Sequence, residues 1–300
     1  RGTGAQRRLP LRQRQEVQEV LRGALTPGNS IDQEKDMGKR VRMSSAVILI
    51  ASLLGTVGIA AAATADDAAG YGPRLEGFDY PHPVRTHAFA SQRQQVEMAY
   101  LDVPPTGEAN GRTALLLHGK NFCAATWEQT IAALADAGYR VIAPDQIGFC
   151  KSSKPDGYQY ALAGLAHNTR GLLASLGIER SVVVGHSMGG MLATRYALMY
   201  PDAVEHLALI GPIGLEDWKA EGVPYQPVEQ VYAAEWRPEF ERWARMQAGM
   251  YAGPGREVVA WHQALTFDML MGQPVVYELP LLRVPTTLFI GVHDRTALGK

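Results

Sequence analysis

The stretch that most constrains the fold is Val182-Val183-Val184-Gly185-His186-Ser187-Met188-Gly189-Gly190. Three consecutive β-branched apolar residues predict a buried strand. Met191, Leu192, Ala193, Tyr196, Ala197 and Leu198 then recur as on a helix. Between them lies Gly-x-Ser-x-Gly, so the chain passes from strand to helix through a very short turn. Such a turn forces Ser187 into a strained backbone conformation, and Gly185 and Gly189, having no Cβ, leave room for it. The Ser187 hydroxyl is thereby raised to the top of a sheet, at the positive end of a helix. A plainer reading makes Ser187 the cap of a helix that follows a glycine-rich turn.

The flanking sequence supplies the rest of a sheet. Val84–Ala90 and Gln94–Val103 alternate as two strands, and Thr113–His118 and Arg140–Asp145 are short apolar strands. Trp127, Ile131 and Leu134 mark a helix closed by Gly138; Leu162, Leu165, Leu172, Leu173 and Leu176 mark another closed by Gly177. Glu205–Ile213 and Thr286–Val292 are further strands. Strands alternating with helices predict βαβ units and a mostly parallel sheet flanked by helices, an α/β fold. An apolar content of 46% in 300 residues is enough for a large core. Residues 214–285 break the rhythm with Trp218, Tyr225, Tyr232, Trp236, Trp243, Met246, Met250, Tyr251, Trp261, Met269 and Met271. They predict a mostly helical insertion over the strand ends, whose aromatic and Met side chains are mainly its own core. A few are expected to face the site beneath and favour an apolar substrate.

The N-terminal residues are not expected to belong to this fold. Met37-Gly-Lys-Arg-Val-Arg, the uncharged run Ala46–Ala63 and Ala63-Thr64-Ala65 read as a secretory signal peptide over residues 37–65. The alternative is a membrane anchor over residues 44–65. Either places the body, residues 66–300, outside the cytoplasm, in the periplasm or medium. Residues 1–36 read as upstream sequence preceding a start at Met37, or else as a basic extension. The body carries six more acidic than basic side chains, which gives no reason to expect nucleic-acid binding. Only the export signal implies a membrane.

Four motifs carry a resemblance to a known family: Leu115-Leu116-Leu117-His118-Gly119, Asp145-Gln146-Ile147-Gly148-Phe149-Cys150-Lys151-Ser152, Gly185-His186-Ser187-Met188-Gly189-Gly190, and Phe289-Ile290-Gly291-Val292-His293-Asp294. From about Val84 onward the chain resembles the α/β-hydrolase superfamily. It looks closest to capped serine hydrolases such as carboxylesterases, proline iminopeptidases, cofactor-free haloperoxidases and carbon–carbon bond hydrolases. Ser at the elbow differs from the epoxide hydrolase and haloalkane dehalogenase branches, which use Asp there.

The resemblance implies a nucleophile at Ser187, an acid at Asp294 after the last strand, and oxyanion donors at the backbone N–H groups of Lys120 and Met188. Glu216 and Asp217 are the fallback acids. Triad order in this fold is Ser, acid, His. No His follows Asp294, so the last strand, the catalytic His and the final helix are expected beyond Lys300. His118 is expected to be structural, His186 to pack beside the nucleophile, and His262 to be the remaining candidate base. Cys150 stands where the family's Asp-x-x-Gly-x-Gly-x-Ser loop has its second Gly. Cys123 lies in the oxyanion loop, and in an exported protein the two could pair. No cofactor or metal is expected. The leading expectation is hydrolysis of a small, largely apolar ester or amide through an acyl-enzyme. The alternatives are carbon–carbon bond hydrolysis and a hydrolase-like binding protein.

Overall fold

The computed structural model describes residues 70–221 and 238–291, all inside the unit Ala60–Lys300. Residues 37–65, read above as an export signal, part of the insertion and Asp294 lie outside the described residues. In chain order the strands are β1 (Val84–Ser91), β2 (Gln94–Val103), β3 (Thr113–Leu117), β4 (Arg140–Pro144), β5 (Ser181–His186), β6 (Val204–Ile210) and β7 (Thr286–Phe289). The helices are α1 (Glu128–Asp136), α2 (Leu162–Ser175), α3 (Met188–Met199), α4 (Pro238–Ala252) and α5 (Arg256–Gly272). Strands β6 and β7 end three residues earlier than the sequence pattern predicts. Gly211 and Pro212 turn the chain out after β6, with Gly211 at φ +44°.

The strands form one sheet in the order β1-β2-β4-β3-β5-β6-β7. β1 and β2 are antiparallel to their neighbours, and β4, β3, β5, β6 and β7 run parallel. The central strands are covered on both faces, which is why they read as unbroken apolar runs instead of alternating ones. Alternate residues serve different layers. Leu116, Val141 and Val184 pack with Trp127, Ile131 and Ala135 of the α1 side. Leu115, Leu117, Ile142 and Val183 pack with α2 and α3 through Leu165, Leu172, Met191 and Tyr196.

Both α1 and α2 stop where glycine was expected to stop them. After α2, Gly177 donates to Ala174 O and Ile178 to Leu173 O; after α1, Gly138 donates to Ala135 O and Tyr139 to Leu134 O. This paired closure needs a left-handed residue, and Gly177 and Gly138 take φ +70° and +87°.

The described part of the insertion is helical. On α5 the buried residues Val259, His262, Thr266, Met269 and Leu270 form one face at helical spacing. Met246 and Met250 of α4 are also buried, whereas Trp261 is 61% exposed. The methionines thus supply the insertion's core, as expected, and Trp261 does not. The lead-in before β1 packs on α4: Tyr71 N–H donates to Gly249 O at 3.0 Å, and the Phe78 and Trp243 rings lie 6.3 Å apart.

Candidate active site

Strand order reverses direction around β3, with β4 on one side and β5 on the other, so loops leaving these strands meet at their C-terminal ends. That crevice is where open α/β sheets bind ligands. Ser187 stands there, directly after β5 and before α3, at φ +54° and ψ −120°. This is the strained conformation the motif predicts, and Ser187 is held in it by backbone bonds. Its N–H donates to Ile210 O at 3.2 Å, and its carbonyl accepts from Gly190 at 2.9 Å and Ile213 at 3.3 Å. The flanking glycines are required by contact: a Cβ on Gly185 would lie 2.2 Å from Gly189 O, and one on Gly189 would lie 2.0 Å from Leu117 O. The β3 end and the elbow are therefore packed backbone to backbone.

The loop after β3 lies beside Ser187. A Cβ on Gly119 would sit 3.3 Å from Ser187 Cβ and 3.0 Å from His186 Nδ1. Among the described residues, the backbone N–H groups of Lys120 and Met188 have no recorded acceptor. The far end of this loop is fastened to the loop after β4. Cys123 and Cys150 are joined in a disulfide with Cα atoms 5.9 Å apart. Buried Asp145 accepts from Ala124 N–H at 2.7 Å, Tyr80 O–H at 2.7 Å and Lys151 N–H at 3.1 Å. The Tyr80 hydroxyl is pushed well above its ordinary pKa, first by burial and then by the adjacent Asp145. Cys150 itself has φ +40°, the backbone region for which the resembled family uses Gly. Cys123, Cys150 and Asp145 have donor atoms within 4.8 Å of one another, but the two sulfurs are bonded together and present no thiolate pair to a metal.

Lys120 does not project into solvent. Its Nζ donates to Gln263 O at 2.8 Å and to Gln263 Oε1 at 2.5 Å, and lies 5.8 Å from the Phe267 ring centre. Burial lowers its pKa to about 8.

The model of the alpha/beta hydrolase fold family matches residues 114–288. A solved structure described as a probable hydrolytic enzyme from Pseudomonas aeruginosa is 60% identical, with TM-score 0.74, over 78% of this chain and 81% of that one. The chain belongs to the α/β-hydrolase family. Two curated relatives match over shorter stretches. Epoxide hydrolase A of Mycobacterium tuberculosis is 39% identical over 111 residues, 37% of this chain and 34% of the relative. The 2-hydroxy-6-oxo-6-phenylhexa-2,4-dienoate hydrolase of Comamonas testosteroni is 33% identical over 139 residues, 45% and 49% of the two. The chain thus spans between a third and a half of the length of these curated relatives.

Within this α/β-hydrolase frame the histidines separate by their partners. His118 is buried, its Nε2 accepts from Gln146 N–H at 3.1 Å, and its Nδ1 therefore carries the proton donated to Gly119 O at 2.8 Å. Burial lowers its pKa, so it is a neutral brace between two loops. His186 packs against Phe122 and Trp127 beside Ser187. His262 is buried in α5, with Nδ1 2.7 Å from Tyr160 Oη. Burial first, and Lys154 second, lower its pKa. Asp217, a fallback acid, is half-buried and accepts from Tyr277 O–H at 2.7 Å and from the Lys219 and Ala220 N–H groups. The sequence marked Asp145 as the end of a strand and the start of the loop motif but not its three donors, and no pattern revealed the Tyr160–His262 or Lys120–Gln263 contacts.

Proposed function

We propose that this α/β hydrolase cleaves a carboxylic ester or amide through an acyl-enzyme on Ser187. The observation that carries the reading is the juxtaposition at the crevice. A strained, partly exposed Ser187 stands beside a loop whose Gly119 has little room for a Cβ on its Ser187 side, and both neighbouring N–H groups, Lys120 and Met188, lack acceptors among the described residues. In this mechanism Ser187 Oγ attacks the carbonyl carbon, its proton passes to a histidine oriented by Asp294, and the carbonyl oxygen becomes an oxyanion. The two N–H donors stabilise that charge before the leaving group departs, and water then releases the acyl group by the same route.

The dienoate hydrolase relative favours a second reading, cleavage of a carbon–carbon bond on the same serine. Ser187 supports either of these over the epoxide hydrolase branch. The Cys123–Cys150 disulfide supports export to an oxidising compartment.

The test is turnover of short p-nitrophenyl esters by the full-length protein and its Ser187→Ala variant. A pre-steady-state burst of one p-nitrophenolate per protein is expected, and a loss of about 10⁴-fold in the variant. Faster turnover of a 2-hydroxy-6-oxodienoate than of any ester would favour the second reading. Unchanged ester turnover in the variant would refute the serine mechanism.

A further inference from the structure

The loop between β3 and α1 is held by two different bodies of structure. Its flanks belong to the sheet. His118 bridges Gly119 O and Gln146 N–H on one side. On the other, Cys123 is bonded to Cys150 and Ala124 donates to Asp145. The apex, Lys120 and Asn121, is held in addition by the insertion. Gln247 of α4 donates its side-chain N–H to Asn121 O at 2.8 Å. Lys120 Nζ donates to the backbone and side-chain oxygens of Gln263 in α5. The same α4 is tied to the start of α1 by Arg242 and Glu128 at 3.1 Å.

We propose that Lys120, Gln247 and Gln263 are positioning residues that make the oxyanion hole depend on the seating of the insertion. The inference rests on the reading of Lys120 N–H as an oxyanion donor. The apex is also a turn closed by Phe122 N–H donating to Gly119 O at 3.1 Å, and with both flanks fixed to the sheet the two glutamines add a hold from the insertion on the tilt of this turn. An oxyanion donor is useful only when aimed at where charge develops, and a displacement of about 1 Å costs about 10²-fold in rate.

The test uses the full-length protein with Lys120→Met, Gln247→Met and the double variant, none of which removes a backbone donor. Each single variant should lower kcat on a short ester by about 10-fold and the double variant by about 10²-fold. KM should stay within about 2-fold, because the lost interaction acts in the transition state. Affinity for a trifluoromethyl ketone, which forms an oxyanion on the serine, should fall in parallel, and Lys120→Arg should restore both. Melting and circular dichroism check that each variant is folded, and Gln247→Met, which keeps the side-chain length, serves if Lys120→Met does not fold. Wild-type kcat and ketone affinity in folded variants would overturn the proposal. Retained turnover in Ser187→Ala would instead remove the serine reading beneath it, so the two failures are distinguishable.

Discussion

At the residue scale, Cys150 shows how one position can meet two demands. Its φ of +40° is unfavourable for any residue with a Cβ, by about 1 kcal/mol relative to Gly. The cross-link to Cys123 closes a loop of 27 residues and contributes about 3.5 kcal/mol in the chain-entropy account, more than the backbone cost. In a Cys123→Ser background, where the cross-link is gone, Cys150→Gly should therefore be more stable than Cys150→Ala by about 1 kcal/mol. Urea unfolding midpoints check this, and an equal or reversed order would mean that the turn imposes no strain. Lys120 makes a second prediction. Burial lowers its pKa to about 8, below the ordinary value of 10.5, so between those values the unfolded chain binds more protons than the folded one. The wild type should accordingly gain stability relative to Lys120→Met as pH rises from about 8 to 10.5. A stability difference that stays flat across that window would show that Lys120 titrates normally.

At the element scale, glycine positions divide sharply by what surrounds them. A methyl on Gly189 would meet the Leu117 backbone carbonyl at 2.0 Å, and neither the elbow nor β3 can yield easily. Gly189→Ala should cost about 2–3 kcal/mol and damage activity, since Leu117 leads directly into the loop beside Ser187. Gly171, exposed within α2, has open space where its Cβ would lie, so Gly171→Ala should stabilise by about 1 kcal/mol. Thermal melts of the two variants should move in opposite directions. The same contrast explains what the sequence revealed. Backbone crowding at the elbow needs glycines at fixed spacing, and helix closure needs Gly138 and Gly177, so both were legible from residue identity alone. Strand limits at β6 and β7 were less so, because apolar residues such as Ile213 continue past the point where Gly211 turns the chain.

At the scale of the whole molecule, the alternation of strands and helices along the chain and the place of Ser187 between a strand and a helix could be read in advance. Periodicity and turn chemistry are local and survive without tertiary context. What could not be read were contacts between distant polar side chains: Gln247 and Gln263 reaching the loop apex, Tyr160 meeting His262, and Asp145 gathering three donors. A glutamine on a helix is compatible with solvent or with a buried partner, and only the packing of α4 and α5 decides. The exposed Trp261 illustrates the converse, an aromatic that the core did not need. The central claim, an acyl-enzyme on Ser187, has a direct test. The full-length protein is mixed with an excess of a p-nitrophenyl ester, quenched in acid within the burst, and its peptides are weighed. One acyl group should be found, on the peptide containing Ser187, and none in Ser187→Ala. An acyl group on another residue, or turnover with no covalent adduct, would contradict the account.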